Sequence, residues 1–265
     1  MHEHPFLAAL VCASMLTACT GAPPAAPPAT GAPQDAAGPP ALVPGFGNHH
    51  HPIATDSPEA QRYLDQGFNL VFGFNHEEAV RSFAHAAVLD PKAAMPHWGI
   101  AWALGPNYNL DVDDARASQA YAAMRQALTL SEGGPAHERA YIEAMAVRFP
   151  AGPGADRAAL ARQYADRMRD LARRYPDDLD AATLYAESLM NLRAWKLWTL
   201  DGAPAEGTEE IVAVLESVLQ RNPAHLGANH YYIHTVEASR APARALPSAA
   251  RLDTLAPAAG HLTHI

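Results

Sequence analysis

His230-x3-His234-x2-Glu237 places two imidazoles and a carboxylate in one short stretch of chain. At about 100° per residue, a helix would hold all three side chains within roughly a 60° arc. Two imidazoles one turn apart can share a divalent metal through nitrogen. A carboxylate on the next turn can ligate the same ion or orient an imidazole from behind. His261 and His264 lie further along and add donors of the same type. Two or three histidines with one carboxylate suit zinc, copper or iron, and the pattern does not choose among them. The HExxH pattern is absent, so no general base is supplied, and catalysis at such a metal is left open.

Helices must position these groups. From about Pro58 apolar residues recur at helical spacing, with no sustained alternation. A repeat of about 34 residues runs through the chain. Gly67, Ala79, Phe83, Ala86 and Pro91 give its spaced positions without a gap. Later units are centred on Ala101, Ala144, Ala186 and Ile233. From Pro91 to Ala101, Pro176 to Ala186 and Pro223 to Ile233 the step is ten residues each time. The intervening sequence FNLVFGFNHEEAVRSFAHAAVLDP resembles a tetratricopeptide (TPR) repeat. That likeness implies an all-α, TPR-like right-handed α-solenoid of about five helix pairs, with a partial sixth begun by AAGHLTHI. No capping helix follows that stub, so the chain is expected to be cut short.

In TPR proteins the first helix of each pair lines a concave groove. Carried over by register, groove positions fall at Trp98 and Trp102, Tyr141, Glu187, His230, His234 and Glu237, with His261 and His264 in the stub. Such a groove would hold a protein or peptide partner. Trp98 and Trp102 would form an aromatic shelf if both faced it; a core position for at least one is the commoner outcome. His49-His50-His51 is expected to be a mobile junction; the alternative is that it folds back and donates one ligand. Asn75 with Glu78 reads as a capping-box variant, which gives His76 a structural duty. His85, His137 and His225 receive no role.

The first residues carry an address. Phe6–Met15 form a short apolar run followed by Leu16-Thr17-Ala18-Cys19. The run is too short for a mature span and fits a secretory signal. The tetrapeptide resembles a bacterial lipobox, with Cys19 as the lipidated residue, although no Lys or Arg precedes the run. Residues 1–18 then read as signal peptide, and 19–48 as the lipidated Cys plus a Pro/Ala-rich linker. Residues 49–265 are the repeat domain. The expected location is the periplasmic side of the bacterial cell envelope, anchored by lipid alone.

Composition narrows the rest. Nineteen basic against 28 acidic residues give a net charge of −9, which argues against nucleic acid. Two cysteines exclude a disulfide scaffold or a thiolate zinc module. There is no phosphate-cradling glycine loop and no GxSxG elbow. HHPI, FNHEEAVRSF, MPHWGIAWALGPNYN, HYYIHTVEAS and AGHLTHI together resemble an uncharacterised family of bacterial TPR proteins. The likeness spans roughly residues 48–265. It implies the fold and no established activity. Two functions are expected from these readings. One is an envelope scaffold that holds a protein or peptide in its groove. The other is a metal-binding protein or metalloenzyme.

Overall fold

Ser57, Asp113, Asp156 and Asp178 each turn a side-chain oxygen onto a free backbone N–H at a helix start. These caps open four of the ten α-helices seen in a computed structural model, which describes residues 38–152 and 154–265. In order they are α1 (Pro58–Phe72), α2 (His76–Leu89), α3 (Met95–Leu104), α4 (Asp114–Leu130), α5 (Ala136–Ala146), α6 (Arg157–Arg174), α7 (Leu179–Leu192), α8 (Thr208–Arg221), α9 (Leu226–Val236) and α10 (Leu246–Leu255). A short 3-10 turn, Pro242–Ala245, precedes α10. The fold is all-α and TPR-like: five helix pairs, each helix packed on the next. The repeat positions Gly67, Ala101, Ala144, Ala186 and Ile233 fall on α1, α3, α5, α7 and α9. Among the described residues no helix is long and apolar enough to cross a membrane. The expected signal peptide, Cys19 and most of the expected linker lie outside the described residues.

Small residues set the crossings. A Cβ on Gly67 would lie 2.3 Å from the ring of Phe83, and one on Gly99 would lie 2.6 Å from it. Phe83 is therefore slotted between α1 and α3. Gly67→Leu should overpack this crossing and cost about 1–3 kcal/mol, read as a lowered melting temperature. An unchanged melt would contradict the register.

The array turns back on itself, so that α1 meets α9 as well as α3. The side expected to be an open groove is filled. Phe68 packs on Trp98 at 5.7 Å between ring centres, Phe72 on Trp102 at 5.5 Å, Trp98 on Tyr141 at 5.6 Å and Phe72 on Tyr231 at 6.0 Å. Trp98, Trp102, Tyr141 and Glu187 are all buried, which corrects the groove-lining expectation for these four. The physical reason is closure: aromatic side chains that would face a void in an open solenoid meet each other across a closed one.

The packed unit begins at Pro39 rather than at residue 49. Tyr63 donates to Pro40 O at 2.8 Å, and Gln66 Oε1 accepts from Val43 N at 2.8 Å. Residues after α10 form turns, not the first helix of a sixth pair. Ala258 N donates to Gly45 O at 2.8 Å, so the N-terminal segment pins this C-terminal stretch. Ala259 and Leu262 are buried there, and His261 is brought against α9.

Candidate metal centre

α9 carries His230 and His234 on one face, both buried. Two of the imidazoles have a fixed tautomer. His230 Nδ1 lies 2.5 Å from Phe72 O, and a carbonyl can only accept, so the proton is on Nδ1. His234 Nδ1 lies 2.9 Å from Glu237 Oε1 and donates to that carboxylate. Both Nε2 atoms are left with bare lone pairs. They converge on His261 Nε2, at 3.1 Å from His230 and 3.5 Å from His234. Zinc–imidazole bonds of about 2.0–2.1 Å imply a tetrahedral edge near 3.3–3.4 Å, so the spacing fits three ligands of one ion. An acceptor behind each α9 imidazole is the usual support of a metal-binding histidine.

The structure brings three of the five expected residues together, and Glu237 takes the second of the two places open to it. Glu237 backs His234 rather than joining the nitrogen cluster. His264 is exposed and stands outside it. Burial, reinforced by the charges of the other imidazoles, pushes the pKa of His230 well below the ordinary histidine value. His261 is lowered by the same causes. Neutral imidazoles are the form that binds metal.

Sequence reasoning missed the walls of this site. Among the described residues, Phe74 and Trp195 are the non-glycine positions with positive φ, at 56° and 61°. Both flank the histidines. The Phe74 ring sits 4.3 Å from His230, 5.7 Å from His234 and 5.2 Å from His261. Phe74 occupies the left-handed position that ends α1. Asn75 N bonds Leu70 O and Phe74 N bonds Val71 O, a pairing that normally places glycine where Phe74 stands. Backbone strain of this kind persists where surrounding structure holds it, and it gathers at functional sites. Asn75 makes no side-chain cap bond, so the expected capping box is not formed. Its neighbour His76 instead packs on Phe74 at 5.7 Å.

A second histidine cluster has different chemistry. The buried Asp180 carboxylate receives His49 Nε2 at 2.9 Å, His51 Nδ1 at 2.7 Å and His225 Nε2 at 3.1 Å. The histidine triplet expected to be mobile is thus folded in, with His49 largely and His51 fully buried. Asp65 and Asn69 of α1 hold it, through His51 N at 3.0 Å and His49 N at 3.2 Å. His225 and His137, which had no assigned role, belong here. His225 Nδ1 accepts Ala228 N–H at 3.2 Å, so its proton is on Nε2 and points at Asp180. A nitrogen carrying a proton cannot also bind a metal. Although His49, Asp180 and His225 are close enough to hold an ion, they form a hydrogen-bonded clasp. Burial opposes the Asp180 charge, yet the three imidazoles hold its pKa well below the carboxylate range. His49 is raised: Asp180 outweighs the larger single effect of desolvation. Alongside, Asp178 takes His137 Nε2 at 2.7 Å and the Tyr141 hydroxyl at 2.6 Å.

No family model matches the chain, and no curated protein matches it. Among the solved structures that resemble it weakly are these two. One is titled "Crystal structure of YrrB: a TPR protein with an unusual peptide-binding site", at 15% identity and a TM-score of 0.37, covering 77% of this chain and 90% of that one. The other is "MamA RS-1 ArsTM double mutant", at 12% identity and a TM-score of 0.33, covering 79% and 97%. The helix-pair assignment stands on this chain's own packing.

Proposed function

We propose that this protein is an exported, lipid-anchored helical-repeat protein that binds one transition-metal ion through His230, His234 and His261. The observation that carries the metal reading is the convergence of three Nε2 atoms, two of them with their protons fixed on the far side of the ring. Three imidazoles suit zinc or copper, and three protein ligands leave a fourth position for water or another molecule. Export and anchoring rest on the apolar run and the Leu16–Cys19 tetrapeptide. A protein partner, which the repeat architecture accommodates, would engage surfaces other than the buried Trp98, Trp102, Tyr141 and Glu187.

Metal analysis of the purified domain after exposure to zinc or copper tests this. One equivalent is expected in the wild type and none in a His230→Ala/His234→Ala variant. A wild type without stoichiometric metal, or a double variant that retains it, ends the proposal. Glu237→Gln should keep the fold and weaken zinc binding about 10–100-fold, because Glu237 orients His234. Competition with a chelator of known affinity measures it.

A further inference from the structure

A cleft of about 950 Å³ opens between the loop after α3, helix α6 and the loop after α7. Its lining is cationic in a chain of net charge −9: five arginines against Asp111, Glu206 and Glu210. Arg193 pairs with Glu206 at 2.7 Å, Arg169 with Asp166 at 2.8 Å and Arg157 with Asp114, while Glu210 accepts from the Tyr185 hydroxyl at 2.5 Å. Arg148 and Arg162 are the lining arginines without an ion pair among the described residues. Arg148 is the most buried of the five arginines, at 8% exposure. Its guanidinium lies 4.4 Å over the Tyr164 ring and donates to Pro106 O at 2.8 Å. No carboxylate of the described residues reaches it at ion-pair distance. The charge nearest to it in effect is Glu187, whose carboxyl burial pushes up in pKa against the pull of Arg148. A buried guanidinium with donors to spare and no direct ion pair can receive an anion.

Two further features point the same way. Asn191 Oδ1 is buried with no partner, as is Glu187 Oε2, while Asn191 Nδ2 donates to the other Glu187 oxygen. Unmet buried acceptors call for a donor. Across the cleft Trp195 is 61% exposed and packs at a tilt on Tyr108 with ring centres 4.9 Å apart. Its positive φ holds an indole on the cleft wall at a cost in backbone energy.

We propose that this cleft binds a small organic carboxylate with a flat body: the carboxylate on Arg148, the ring against Trp195, a hydroxyl or amide N–H on Asn191. A monoanion suits it better than phosphate, since each added negative charge would face Asp111 on the cleft wall and Glu187 near Arg148. The site does not depend on the metal, although Tyr108 lies only 5.6 Å from His234 between ring centres.

Benzoate is the probe, titrated by calorimetry and tryptophan fluorescence into metal-free and zinc-loaded protein. Inorganic phosphate and benzyl alcohol are the comparison ligands. Benzoate should bind both protein forms, less tightly as salt rises. Benzyl alcohol, and benzoate with Arg148→Gln, should each be weaker by roughly tenfold or more. The fluorescence change should vanish in Trp195→Phe. Arg162 is exposed on the same lining, so Arg162→Ala spares the fold and should still weaken benzoate; this variant and Trp195→Phe decide the matter if Arg148→Gln does not fold. No benzoate binding by wild type, equal binding of benzyl alcohol, or preference for phosphate would each overturn the proposal. Benzoate bound only to zinc-loaded protein would also overturn it, because the anion would then sit on the metal. Failure of zinc to bind leaves the metal-free titration as the test.

Discussion

Replacing Asp180 with alanine should destabilise the protein by about 3–5 kcal/mol, the cost of breaking a buried, charge-assisted network by removing one side. For a domain of this size that is on the order of a 10 °C fall in melting temperature. Asp180 is one carboxylate serving three imidazoles. Without it, the ring protons of His49, His51 and His225 lose their acceptor in a largely buried site. The loss also travels. His49 and His51 tie the N-terminal segment to α7 and α9, so increased protease sensitivity is expected just before α1. The wild-type clasp should depend on pH in two directions. The lowered pKa of Asp180 gives stability that is present above about pH 4, the ordinary carboxylate value, and is lost as pH falls through the folded value. The raised pKa of His49 gives stability that is full below about pH 6.5 and is lost as pH rises through its folded value. Urea denaturation across pH on wild type and Asp180→Ala checks both. A variant as stable as wild type near pH 6 would remove the clasp from the account of the fold.

Zinc should raise the stability of metal-free protein by about 4 kcal/mol at a free concentration a thousandfold above the dissociation constant, by mass action alone. The increment should disappear in His230→Ala/His234→Ala, and a thermal melt with and without zinc reads it directly. In acid the metal-free site is a liability. His230 and His261 have lowered pKa values, so below about pH 6.5 the unfolded chain takes protons that the folded site refuses, and stability falls. The same shifts favour metal, because the Nε2 lone pair of His230 stays free of protons at mildly acidic pH. Zinc should therefore stabilise more, relative to the metal-free protein, than an ordinary histidine cluster would at pH 6. An equal increment in wild type and the double variant would show binding elsewhere.

Particular residues show how far the sequence reached. The repeat positions Gly67, Ala101, Ala144, Ala186 and Ile233 could be read because repeat packing is local: a helix pair must fit at its own crossing, which at the first four takes a small residue. His230 and His234 could be paired because a four-residue step on a helix fixes a shared face. Glu237 was legible as a ligand or as the support of an imidazole, and the choice between the two stayed open because it depends on rotamers. Trp98 and Trp102 were misread for a different reason. Whether they meet solvent or each other is set by the contact of α1 with α9, and no local pattern encodes that closure.

The sequence by itself determined the all-helical repeat, its register and the histidine face of α9, because each follows from spacing along one chain segment. The tertiary structure decided the rest. It filled the groove, folded His49 and His51 onto Asp180, and brought His261 to α9 through turns. It also held Phe74 and Trp195 in left-handed backbone beside the histidines. These are long-range outcomes, fixed by which surfaces the closed array brings together.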